Sequence, residues 1–157
     1  MAGFAPDVGR GPMKSKPFKL TAPKKPPKYI KEWQEQKLLF SFAKAHETED
    51  PRWKLLNASM NGLRSTPAAI MMAKLCGLRP GYPDTFLPVI GYASCPGMFV
   101  EIKRKHGKWI TNDWDCCATD EQRWWRDRLL EQGFEVRLAH GAEEAIQMYS
   151  GYLKGDG

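Results

Sequence analysis

The sequence predicts an α/β domain, with a mixed sheet of about four strands flanked by helices. Three observations carry that reading. Apolar residues at helical spacing alternate along the chain with short runs rich in β-branched and aromatic residues. Two of those runs are joined by a turn of small residues, as in an antiparallel hairpin. The segments follow the order α-β-α-β-β-α-β-α, which is that of a helix-flanked sheet. A chain of 157 residues, 42% hydrophobic and 27% charged, is long enough for one buried core and a short appendage.

Residues 1–28 precede the first regular pattern. Up to Lys31 the chain holds eight Lys/Arg (the first Arg10, the last Lys31) against the single acid Asp7, and six of the twelve prolines. The remainder carries 16 basic and 17 acidic residues, so the whole excess of the net +6 sits at this end. Too few apolar residues recur at any period to pack, and the segment reads as a disordered basic arm. Two roles stay open for it: a phosphate-seeking tether or a plain solubilising leader. The folded domain is expected over 29–154.

The first helix is expected from Tyr29 to about His46, where Ile30, Trp33, Leu38, Leu39, Phe42 and Ala45 recur near helical spacing and Pro51 forbids continuation. Trp53 to Met60 reads as a short strand closed by the turn pair Asn61-Gly62. A helix follows with complete punctuation: Thr66 as cap, Pro67 in the first turn, Gly77 at the end. Thr85 to Tyr92 and Met98 to Arg104 form the hairpin strands around ASCPG. After a polar and aromatic loop, Thr119-x-x-Gln122 opens a helix running to about Gln132, and Gly133 stops it. Phe134, Val136 and Leu138 alternate with charged residues as a last strand, and Ala142 to Leu153 carries one apolar stripe as the last helix. Trp124 and Trp125 are expected in the core.

Several chemistries are disfavoured. Apolar runs fall far short of the roughly 20 residues a membrane-spanning helix needs, and the first thirty residues lack a signal-peptide core. The expected location is a reducing cytoplasm, bacterial or that of a host in which a phage-encoded protein acts. Cys76, Cys95, Cys116 and Cys117 show no C-x-x-C spacing, and His46, His106 and His140 form no i, i+4 pair, so zinc lacks ligands. No G-x-x-x-x-G-K loop appears, and no nucleotide cofactor is expected.

The suggestive constellation is Pro83-Asp84 followed by Glu101-Ile102-Lys103. Side chains alternate along a strand, so Glu101 and Lys103 project from one face, and a hairpin can return that face to Asp84. Two carboxylates beside a lysine suit a divalent-metal phosphodiesterase: hard oxygens hold Mg²⁺ with part of its water shell, and the ammonium offsets phosphate charge or helps activate water. Taken alone, these residues read more simply as an ordinary turn and a solvent-facing strand.

The surroundings sharpen the reading. Glu32-x-x-x-Gln36, Asn61-Gly62-x-Arg64, Leu75-Cys76-Gly77, Arg79-Pro80-Gly81-Tyr82-Pro83-Asp84, Met98-Phe99-Val100-Glu101-Ile102-Lys103, Thr119-x-x-Gln122-x-x-Trp125, Gly133-Phe134 and Tyr152-Leu153 occur in this order. The chain from Tyr29 to Leu153 closely resembles the virus-type replication-repair nuclease (VRR-Nuc) domain of the PD-(D/E)xK nucleases. The resemblance implies a restriction-endonuclease-like core in which Asp84, Glu101 and the main-chain carbonyl of Ile102 bind Mg²⁺ or Mn²⁺ and Lys103 is the signature lysine. It assigns Glu32 to an additional metal-facing carboxylate, with Glu35 as a rival, and sets Gln122 near the lysine, where it also completes a capping box. The 104–118 connection is longer than in compact members: either a substrate-contacting flap or a packing and dimer element.

The function expected on this basis is a metal-dependent endonuclease acting on DNA, selective for four-way junctions or other branched forms, and homodimeric. Arg64, Lys74, Arg79, Arg104 and Lys105 would supply the positive surface. The alternative is a non-catalytic DNA-binding or scaffold protein with the same fold, and metal dependence separates the two.

Overall fold

The computed structural model describes residues 30–59, 66–105 and 114–155; the 1–28 arm and the Asn61-Gly62 turn lie outside the described residues. Helix α1 spans Glu32–His46, its start fixed by the Gln34 side chain accepting the Lys31 N–H at 2.8 Å. Leu39 and Ala43 are its buried apolar positions.

Beyond α1 the expected strand over residues 53–60 is largely replaced. Asp50 accepts the Arg52 N–H at 3.0 Å and Pro51 opens a 3-10 helix, Pro51–Leu55, leaving only Asn57–Ala58 as strand β1. An Asp-Pro cap with pre-set φ outweighs the β-preference of the residues behind it. The turn also seats Trp53 in the core, edge-on to Phe42 at 5.4 Å and to Tyr149 at 6.5 Å.

Helix α2, Pro67–Leu75, is capped as expected, with Thr66 Oγ1 accepting the Ala69 N–H. Strand β2 is Thr85–Leu87, shorter than expected because Pro88 has no N–H to continue a ladder. Strand β3 is Met98–Lys103, β4 is Glu135–His140, and a four-residue helix α3, Trp114–Cys117, sits in what was expected to be loop. Helix α4 runs Asp120–Glu131 and α5 runs Ala142–Lys154.

The sheet order is β1-β2-β3-β4; β1, β2 and β3 pair antiparallel and β3 with β4 parallel. Thr85 pairs with Val100 and Glu101 with Leu138. Met98, Val100 and Ile102 face a core with Leu39 of α1 and Tyr149 and Leu153 of α5. Phe99 faces the opposite cluster with Leu129 of α4, Val136, Tyr82 and Trp125. The alternation of β3 therefore turns Glu101 and Lys103 to the α4 side. The tryptophan pair divides: Trp125 packs on Tyr82 at 4.9 Å, while Trp124 is exposed, one helical position off the Gln122-Trp125-Leu129 stripe.

Candidate active site at the β2–β3 mouth

Asp84 is the last residue before β2, and one of its oxygens, Oδ2, accepts the Ile102 N–H at 2.9 Å. The ladder explains why that N–H is available. Glu135 N–H reaches Gly97 C=O and Gly141 N–H reaches Lys103 C=O, so β4 uses the carbonyls of odd-numbered β3 residues. The peptide groups of Ile102 consequently point to the β2 side, where Asp84 stands.

Glu101 is buried, 3% exposed, among polar partners. Its Oε1 accepts from Lys103 Nζ at 3.0 Å and from Gln122 Nε2. Gln122 Oε1 accepts from Lys103 Nζ at 2.9 Å and from the Thr119 N–H at 3.0 Å. Gln122 is thus both the N3 residue of the α4 capping box and the brace that holds the Glu101–Lys103 pair. Both roles left open by the sequence are filled by one side chain.

Burial is the largest cause raising the carboxyls above their ordinary range, Asp84 to about 6 and Glu101 to about 7; Asp84 is a further cause at Glu101. Lys103 works in the opposite direction at both. Paired desolvated carboxylates with, among the described residues, the one Lys103 ammonium acting on them form a site whose unrelieved negative charge a divalent cation would neutralise. Ile102, Asp84 and Glu101 offer hard oxygen donors only, which fits Mg²⁺ or Mn²⁺ and disfavours a soft metal. Among the described residues no group of three or more His, Cys, Asp or Glu side chains gathers to hold an ion.

Glu32 is exposed at the start of α1, and its charge raises both carboxyls without a direct contact. Its rival Glu35 is buried elsewhere: its Oε2 accepts the Ala142 N–H at 2.9 Å, at the start of α5. Glu35 caps a helix and is spent structurally. One residue of the first-helix motif carries more than the sequence assigned to it. Gln36 Nε2 reaches the Asp84 main-chain carbonyl at 3.4 Å, one turn after Glu32. The i, i+4 spacing of the two was the available signal.

Of the basic residues, Lys74 and Arg79 are exposed on α2 and just beyond it, and Arg104 is exposed after β3. Lys105 makes an exposed ion pair with Glu143 at 3.0 Å. Arg64 lies outside the described residues.

No protein-family model matches the chain, and no curated protein matches it. A solved structure does: a VRR_NUC domain protein aligns at a TM-score of 0.60 and 23% identity, covering 80% of this chain and 90% of that one. The fold is VRR-Nuc-like. In this VRR-Nuc-like fold the mixed four-stranded sheet brings the β2 start and the β3 end together, and α4 closes over them. Among the described residues no helix is long and apolar enough to cross a membrane.

Proposed function

We propose that the protein is a Mg²⁺- or Mn²⁺-dependent endonuclease that hydrolyses phosphodiester bonds in DNA. The observation that carries this is the convergence of Asp84, Glu101 and Lys103 at one strand mouth, with Gln122 bridging the last two. A binding protein has no need of two desolvated carboxylates at a surface that must accept phosphate. The solved neighbour's printed name, a VRR_NUC domain protein, is consistent with nuclease chemistry.

Asp84, Glu101 and the Ile102 carbonyl would hold the ion, with Glu32 adding negative charge from α1. The ion, when bound, supplies Lewis-acid polarisation of the scissile phosphate and acidification of water. Lys103 donates toward the phosphate or the attacking water and offsets developing charge, and Gln122 orients it. Asp84 fixes the Ile102 peptide so that its carbonyl stays in register with the carboxylates.

The reading extends to branched DNA as substrate and to a homodimer, because paired cuts on two strands call for two sites related by a two-fold axis. The test incubates the full chain with labelled linear, forked and four-way DNA in Mg²⁺, Mn²⁺ or EDTA, with mass by light scattering. Metal-dependent cutting, fastest on the junction and by a dimer, is expected. No cutting with either metal removes the enzyme assignment; equal rates on all substrates by a monomer remove only the junction and dimer assignments.

A further inference from the structure

Helix α2 is poorly placed for a structural element. Every residue from Thr66 to Met72 is exposed, and none of the helix is buried. Leu75 is 74% exposed, Met71 64% and Met72 61%, with Ile70 beside them. A nine-residue helix is marginal in water by itself, and contiguous exposed apolar side chains mark a surface with a partner.

The partner's chemistry follows from charge and position. No Asp or Glu occurs between Asp50 and Asp84, while Arg52, Lys54, Arg64, Lys74 and Arg79 do; outside this segment and the N-terminal 31 residues the chain carries 11 basic and 17 acidic residues. Such a segment repels a second copy of itself and attracts a polyanion. Both ends of the excursion leave the sheet at the candidate site, since the Ser59 N–H donates to Asp84 C=O at 2.7 Å. The return path is pinned there too. Trp125 Nε1 donates to Pro80 C=O at 3.0 Å, and a Cβ on Gly81, which has φ +74°, would lie 2.7 to 2.8 Å from the Glu121–Gln122 backbone. The Pro80–Gly81 turn that follows α2 is therefore held against the start of α4, which carries Gln122.

We propose that Ile70, Met71, Met72 and Leu75 of α2 form an apolar wedge that packs against unstacked bases at a branch point, with Lys74 and Arg79 on the adjoining phosphates. Met, Leu and Ile side chains are suited to entering between base steps, and a branch presents bases whose stacking is already broken. The inference rests on the nuclease reading and names what would select the branched substrate.

The test uses the full chain and the variant M71Q/M72Q/L75Q, three exposed positions changed to a residue of similar helix propensity. Forked DNA with 2-aminopurine at the branch and linear duplex of equal length are titrated in EDTA, so that binding is read without cutting. Wild type is expected to brighten the 2-aminopurine, and the variant to lose that signal and bind the fork about tenfold more weakly, with linear affinity unchanged. An unchanged fork preference and fluorescence overturn the wedge. So does a DNA-free dimer that the variant converts to monomer, which would make α2 a subunit contact. Cutting in Mg²⁺ is scored separately: a wild type with the fluorescence signal but no cleavage sinks the nuclease reading and leaves the wedge standing.

Discussion

Asp84 and Glu101 illustrate a cost of this kind of site. Both have folded-state pKa values above those of an unfolded chain, raised first by burial. The folded protein therefore binds more protons than the unfolded one as pH climbs from about 4 through 6–7, and metal-free stability falls over that window. Asp84→Asn keeps an acceptor for the Ile102 N–H and removes the buried charge. It should raise the melting temperature of the EDTA-treated protein at pH 8, by the equivalent of about 1–2 kcal/mol, and by much less at pH 5. Calorimetry at both pH values checks this; an equal gain at both would mean that charge is not the cause. Activity should move the other way, with Asp84→Asn losing metal-dependent cleavage. Lys103→Met should lower cleavage about 10²- to 10⁴-fold while leaving the fold intact, measured as single-turnover rate beside circular dichroism.

Element by element, the site depends on α4 being held at a fixed height over β3. The Thr119–Gln122 capping box starts the helix, Gln122 reaches the Glu101–Lys103 pair, and the Pro80–Gly81 turn lies on the same helix start. Gly81 and Gly77 both have positive φ, +74° and +101°, but a Cβ at Gly77 meets only open space. Gly77→Ala should therefore cost about 1 kcal/mol of backbone strain alone. Gly81→Ala adds a clash with backbone, and should cost about 2–4 kcal/mol and disturb Gln122, so cleavage falls with stability. Urea denaturation of the two variants, paired with cleavage rates at a denaturant-free concentration, distinguishes them. Equal destabilisation by both would show that α4 yields to the turn.

For the whole molecule the relevant quantity is where the charge sits. The N-terminal 31 residues carry the entire net excess, and the rest of the chain is close to neutral. Deleting residues 1–28 should weaken DNA binding and flatten its salt dependence, by roughly 0.9 in the log–log slope for each lost phosphate contact, without abolishing metal-dependent cutting. Affinity measured between low and moderate salt for both forms checks this. An unchanged slope would make the arm a passive leader and leave phosphate contacts to the folded domain.

The sequence by itself determined the order of the strands and of every helix but α3, both well-capped helices, the hairpin, and the facing of Glu101 with Lys103. Those follow from local rules: periodicity, caps, and alternation along a strand. It began the strand before α2 too early, because the Asp50-Pro51 cap, a two-residue signal, overrode the β-preference of Trp53 and its neighbours and left strand only at Asn57–Ala58. It placed Trp124 in the core with Trp125, but two adjacent residues cannot both lie on one helical stripe, and the spacing from Gln122 selects Trp125. Glu32 and Glu35 could not be separated from spacing. Only the packing of α1 against α5 decided that Glu35 meets the Ala142 N–H while Glu32 is left near the carboxylates. Likewise, the peptide direction of Ile102, the reach of Gln36 and the exposure of α2 exist only once strands and helices from distant parts of the chain are brought together. The physical reason is the same throughout. Which partner a polar group finds, and which apolar face stays uncovered, is set by non-local contacts that no local window contains.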